Sequence, residues 1–378
     1  MHVVTMRWDG ASRTFENTGE VAAPSFILYF GPNEVISAPD FQEALRAVCP
    51  DANIMGCTTG TCIDQTALRD DEAMAVAVHL AQSKTRLSST SVTVDTSRSA
   101  GTALATSLAA PDLAGVIVFC DSLNVEGEEF LNGMCAVLGE GIPIAGGLAS
   151  DGVDFTRTMV GANCPPQEKL VAALGFYGDS IRISQGCAHG WDNFGPPRRV
   201  TRSAGSVLFE LDGKPALDLY MHYLGDYAQE LPASALRFPL LVSDPADPSR
   251  EVIRTVLDVD HEARSLTFAA GIQEGWSARL MRGAFENLAD GAGAAAREAA
   301  QRTVEGNQGL ALLVSCVGRR VVLGEHTGDE VEAVRNALAP TLRQVGFYSH
   351  GEISSRPGEQ FCGLHNQTMT IVTLQETA

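Results

Sequence analysis

The richest chemistry in this sequence lies in three short stretches near its C-terminus. Cys316, Arg319 and Arg320 follow one apolar run. Ser349 and Glu352 follow a second, and Cys362, His365 and Asn366 precede a third. If those runs are neighbouring strands, their polar ends converge on one rim. Such a set suits a small zwitterion. An arginine fork grips a carboxylate through two hydrogen bonds. Glu352 can receive an ammonium group, and Asn366 offers both donor and acceptor. A plainer alternative pairs Arg320 with Glu352. An exposed pair of that kind contributes about 0–1 kcal/mol.

Two further clusters follow strand-like runs. Asp121-Ser122-Leu123-Asn124 precedes Gly127-Glu128-Glu129. This reads as a helix start with Asn124 as N-cap and acids placed against the dipole; the functional alternative makes Ser122 and Asn124 ligand contacts. Gly146-Gly147 leads into Ser150-Asp151-Gly152. Glycines there make a turn, or let the backbone approach a ligand.

Other chemistries have weaker signatures. Cys187-x-His189 and Cys362-x-x-His365 resemble halves of a zinc site, but their spacings are loose. His189, near Trp191 and Phe194, is the best candidate for a haem iron ligand; its alternative is a hydrogen-bonded histidine in a glycine-rich turn. Cys316 or Cys57 as a thiol nucleophile has no base nearby in sequence, and His365 can serve only through the fold. The chain contains no Gly-x-Gly-x-x-Gly after a strand, no phosphate-binding loop, no Gly-x-Ser-x-Gly and no His-Glu-x-x-His, so the common enzyme fingerprints fail.

The elements that must position these groups alternate at first. Ser25–Phe30, Asn53–Thr58, Gly115–Cys120 and Ile142–Gly146 read as strands, with helices at Pro39–Val48 and Glu126–Leu138. That order predicts an α/β layer. Strand-like runs then accumulate at Leu170–Phe176, Ser180–Cys187, Val200–Leu211, Leu236–Val242, Val252–Val259 and Ser265–Ala270, with a helix at Pro215–Leu224. Trp276–Arg302 is the longest predicted helix, weakened by Gly291 and Gly293. Leu310–Val317, Arg320–Leu323, Val345–Ser349 and Gln367–Leu374 are predicted strands, with a helix at Asp329–Leu338. The fold class is therefore α/β (α+β): two mixed β-sheet domains, residues 1–200 and 201–378, with flanking helices, packed into one body.

Composition narrows the function. The 378 residues are 45% apolar and 19% charged, which describes a globular chain. Twenty-seven basic against 46 acidic residues give a net charge of −19, spread over both halves. No basic face is available for nucleic acid or an anionic membrane. No run approaches the ~18 apolar residues of a membrane span, so membrane insertion is not expected. No signal peptide is visible, and nine scattered cysteines, an odd number, read as reduced thiols in the cytoplasm.

These clusters together resemble the FIST family of bacterial sensory proteins, which pair a FIST N-terminal with a FIST C-terminal domain. The similar segments are Gly56-Cys57-Thr58-Thr59, Asp121-Ser122-Leu123-Asn124, Pro143–Gly147, His189-Gly190-Trp191, Asp212–Tyr220, Ser315–Arg320, Gly346–Ile353 and Leu364–Thr370. The resemblance implies a cytoplasmic sensor, not an enzyme, that binds a small ligand, amino acids being the usual proposal. It implies signalling through a partner such as a histidine kinase, since both FIST parts use the whole chain and leave no output domain. Some members of similar length bind haem and sense nitric oxide for a partner kinase, which is the second expectation. The family's first octet usually ends Ala-Gly-Glu-Ile. Here Gly60-Thr61-Cys62-Ile63 stands in its place, without the carboxylate, which leaves the C-terminal set around Glu352 as the expected ligand site.

Overall fold

The computed structural model describes residues 1–377 apart from 21–22, 49, 140 and 356–361. Three six-stranded sheets and one nine-stranded sheet carry the strands. Each six-stranded sheet is built around one parallel pair. Phe26–Gly31 pairs with Asn53–Thr58, Leu113–Cys120 with Ile144–Leu148, and Gly309–Cys316 with Leu342–Ser349. A parallel pair needs a long crossover, and a helix supplies it each time. These helices are Pro39–Val48, Gly127–Leu138 and Thr327–Ala337.

Strands cross the boundary expected at residue 200. Thr61–Asp64 pairs with Leu342–Ser349, and Gly351–Ser355 pairs with Ile144–Leu148. Ile181–Ala188 pairs with Met369–Glu376, the last strand. The two halves therefore share sheets, and one apolar core joins all three six-stranded sheets. Phe30, Phe119 and Phe347, one from each, meet there. Phe30 stacks on Phe347 at 4.8 Å, and Phe119 meets the same ring edge-on at 5.4 Å. Burying each such side chain contributes about 1.5–3 kcal/mol.

Several expectations are corrected. Trp276–Arg302 is not one helix: Ser277–Gly283 is a strand paired with Leu240–Asp244, and the helix is Phe285–Ala300. The strand's buried Ala278 and Leu280 fit a period of two, but only Arg282-Gly283 separates it from the helical pattern that follows, too short a break to mark a boundary. Gly291 belongs inside the helix because an added Cβ would meet the His189 carbonyl carbon at 2.7 Å. Arg320–Leu323, predicted as a strand, lies in the helix Val317–Leu323. The β-branched Val321-Val322 pair misled there, because tertiary context overrides propensity. Val200–Leu211 is a hairpin, Arg198–Ala204 with Val207–Leu211, turned at Gly205 with φ 56°.

The helix Ser97–Leu108 was not foreseen, since its Ser and Thr content hides the apolar stripe Ala100, Leu104, Ala105 and Leu108. It lies against Gly127–Leu138 through two glycines. A Cβ on Gly101 would fall 2.0 Å from the Phe130 carbonyl oxygen, and one on Gly133 would fall 2.1 Å from that of Arg98. Gly133→Ala must push the helices apart and is expected to cost about 1–3 kcal/mol in chemical denaturation. An unchanged unfolding midpoint would show that the pair is not packed this closely.

Candidate functional site

The register of the strands explains which polar groups meet. Cys316 and Ser349 are parallel partners at the ends of Gly309–Cys316 and Leu342–Ser349. The chain then turns at His350 and joins the neighbouring sheet, where Glu352 lies opposite both His365 and Gly147. Alternation along a strand puts Glu352 and Ser354 on one face. That face looks onto the sheet that holds Cys316: a Cβ on Gly147 would fall 2.6 Å from Val314 Cγ1. Thr370 is the antiparallel partner of both Val314 and Cys187, so it shares their face. At this end of the sheet–sheet interface the apolar core gives way to a polar layer.

Glu352 is its centre and is fully buried. Ser349 Oγ donates to its Oε1 at 2.7 Å, while Thr368 Oγ1 and N donate to Oε2 at 2.8 and 3.1 Å. Burial pushes its pKa up to about 8 against the lowering effect of these donors and of Arg319. The carboxyl is therefore mostly protonated near neutral pH. Burial, and then the neighbouring Glu352, also push the Cys316 thiol up, so Cys316 is not poised as a thiolate. Burial raises Cys57 likewise.

Four polar atoms of or beside this layer have no hydrogen-bond partner among the described residues: Ser354 Oγ, Thr370 Oγ1, Asn366 Oδ1 and Gln185 Oε1. Ser354, Thr370 and Asn366 are each at most 1% exposed. Such groups cost about 1–3 kcal/mol each when left unpaired, so each calls for a water or another polar partner. Sequence reasoning found Ser349, Glu352, His365 and Asn366 here. It missed Ser354, Thr368, Thr370 and Gln185, since a single polar residue inside an alternating strand reads as solvent-facing.

The arginines do not belong to this layer, which corrects the expected carboxylate fork. Arg319 is fully buried, and its guanidinium binds Glu330 through Nε at 2.9 Å and Nη2 at 2.7 Å. It also donates to the carbonyls of His189 and of Leu288, the latter at 2.8 Å. Arg320 pairs with Asp70 through two contacts of 2.7 and 2.8 Å and lies over the Tyr348 ring. The alternative Arg320–Glu352 pair is therefore not formed.

The remaining candidates are placed elsewhere. Gly146 and Gly147 lie within the strand Ile144–Leu148, not in a turn. Gly146 has φ 145°, and a Cβ there would sit 2.0 Å from the Val118 carbonyl oxygen, so it serves close strand packing. Asn124 donates to Asp121 at 2.8 Å and is not the N-cap; Glu126 caps the helix by accepting from Glu129 N. Ser122 contacts His350.

A groove of about 690 Å³ opens beside His189, lined also by Cys187, Trp191, Asp192, Asn287 and Arg297. His189 Nδ1 accepts from Trp191 N at 2.9 Å. The neutral ring then carries its proton on Nε2, the nitrogen that would have to face a haem iron. A ligating histidine instead donates its second ring N–H. Together with the acidic and polar lining, this means the residues at His189 do not fit haem. No group of three or more His, Cys, Asp or Glu is placed for a metal ion among the described residues. The Cys362 side chain lies outside them.

Family comparison accounts for most of the chain. The FIST N domain matches residues 25–214, and the FIST C domain matches residues 216–355. The chain belongs to the FIST family. FIST domains are associated with sensing small ligands in signal transduction. Cys316, Ser349 and Glu352 fall inside the matched FIST C domain, whereas His365 and Asn366 follow it. An uncharacterized protein of Methanocaldococcus jannaschii is 31% identical over 94 residues, which are 23% of this chain. The match spans 17% of that relative's length.

Arg319→Met leaves Glu330 buried without its counter-charge. The expected loss is about 3–5 kcal/mol in denaturant titration. A loss below about 1 kcal/mol would show that Arg319 does not hold this region together.

Proposed function

We propose that this chain is a cytoplasmic sensor that captures a small, amino-acid-like metabolite and signals through a partner protein such as a histidine kinase. The observation that carries this reading is the polar layer around Glu352, a fully buried carboxyl with unpartnered acceptors beside it. An ammonium group is the guest that answers both. Its positive charge favours the Glu352 carboxylate, whose proton is released to solvent, and its N–H groups serve the acceptor oxygens of Asn366 and Gln185. Because the layer is fully buried, admitting a guest requires the sheets to part locally. That gives binding a structural consequence for a partner to read. Family membership supports the sensory role, and no disulfide joins any two of the seven described cysteines, which suits a reducing compartment. Among the described residues no helix is long and apolar enough to cross a membrane.

The test is a thermal-shift screen of free amino acids and simple amines. A ligand at 100 times its Kd stabilises the fold by about 2.7 kcal/mol. The expected hits carry a primary amine and are lost in Glu352→Gln. Calorimetry in buffers of different ionisation enthalpy should show proton release on binding at pH 7. Hits that survive Glu352→Gln but disappear in Arg297→Ala would move the site to the groove; no hit at millimolar ligand would overturn the reading.

Without ligand, the same group sets a pH dependence. Its folded pKa of about 8 lies above the ordinary 4.5. Its contribution to stability is full below about pH 4.5 and falls progressively until pH passes about 8. Glu352→Gln should flatten that part of the stability–pH curve, as followed by denaturant midpoints.

A further inference from the structure

A second polar group closes the same strands on another side. Leu113–Cys120, Ile144–Leu148 and Leu342–Ser349 run into Asp121-Ser122, Ser150-Asp151-Gly152 and His350 respectively. In sheets built on parallel strands, reactive groups gather at these carboxyl ends. Ser122 Oγ lies 2.8 Å from His350 Nδ1. His350 Nε2 lies 2.9 Å from the Gly152 carbonyl oxygen and 3.5 Å from Asp151 Oδ1. A carbonyl can only accept, so Nε2 carries the neutral ring's proton and Nδ1 turns a lone pair toward the serine. Thr158 Oγ1 is also near Ser122, at 3.2 Å, but gives its own proton to Asp121 at 2.5 Å. The shorter contact to His350 therefore takes the Ser122 proton.

The base is held rigidly. Phe155 stacks on the His350 ring with centroids 4.1 Å apart and planes 15° from parallel. Asp151 is fixed by the backbone N–H groups of Phe155, Thr156 and Arg157. Burial lowers the His350 pKa, which keeps the ring neutral. Ser122 itself is only half-buried, and its chain neighbour Leu123 is 37% exposed. Val153, which follows Gly152, is 54% exposed. A hydroxyl on a half-buried serine, a hydrogen-bonded base and a carboxylate behind that base make up the arrangement of an activated nucleophile.

We propose that Ser122 is the nucleophile of an esterase-type centre, with His350 as its base, acting on esters with a short apolar acyl group that rests on Leu123 and Val153. Ser122 Oγ adds to the ester carbonyl carbon, forming the Oγ–C bond as the bond to the alkoxy oxygen breaks. The serine proton passes to His350 Nδ1 and from there to the departing alcohol. Water then attacks the acyl-serine and gives a proton to Nδ1. That proton returns to Oγ as the carboxylic acid leaves. Asp151 is a positioning residue that steadies the imidazolium through Nε2. This site is independent of the Glu352 layer, so either proposal can fail alone.

The test treats the full chain with a fluorophosphonate probe and follows hydrolysis of p-nitrophenyl butyrate. Intact mass and peptide mapping should show one adduct, on Ser122, absent from Ser122→Ala. His350→Gln should slow labelling by about 10²–10⁴-fold. The wild-type rate should rise with pH through a single step below the ordinary histidine value. Absence of an adduct on Ser122 in the folded wild type overturns the proposal. So does an unchanged rate in a His350→Gln variant with the wild-type thermal midpoint. Should that variant not fold, a wild-type pH profile without the histidine step overturns it equally.

Discussion

The buried pair of Arg319 and Glu330 is the constraint on which this region of the fold depends. Both side chains are wholly inaccessible, and Arg319 is the largest fully buried side chain among the described residues. A guanidinium in that position must place its N–H groups or pay heavily for desolvation. It places them on Glu330 in the helix Thr327–Ala337, on Leu288 in the helix Phe285–Ala300 and on the 189 turn. Glu330 is in turn shared with Tyr348 Oη at 2.6 Å and Ser315 Oγ at 3.1 Å. One ion pair thus fixes the helices behind the sheet and the strands that end at Cys316 and Ser349.

A second buried arginine performs a similar service between sheets. Arg254 belongs to the antiparallel sheet of the C-terminal half, and it bonds the carbonyls of Gly271 and Leu364, each at 3.1 Å, and pairs with Glu128. Leu364 precedes His365, so the strand opposite Glu352 is held by a residue from another sheet. Burial lowers the Arg254 pKa and Glu128 opposes this, but a guanidinium titrates so far above neutral that it stays charged. Two buried arginines thus hold strands and helices around the polar layer without bonding to Glu352.

Shared sheets give that layer its mechanical meaning. Glu352 sits on a C-terminal strand inserted beside Ile144–Leu148, while Ser349, three residues earlier, still belongs to the other sheet. Any guest that separates these side chains strains the crossing from one sheet to the next. Packed sheets resist gradual deformation and switch between discrete arrangements. Both halves of the chain meet at this crossing, so a local opening there would strain both.

Periodicity in the sequence was enough to determine the α/β character, the helices Pro39–Val48 and Gly127–Leu138 to within a residue, and most core strands, because each buries one continuous apolar run or stripe. The polar motifs also pointed to Ser349, Glu352, His365 and Asn366, because polar groups that interrupt apolar runs stand out in the sequence. What the sequence could not decide was partnership. Arg319 and Arg320 are adjacent and of one type, yet one seeks Glu330 and the other Asp70, 250 residues away. Only the tertiary structure sets such pairs, because strand order and register are fixed by burial summed over the whole molecule and not by any local pattern.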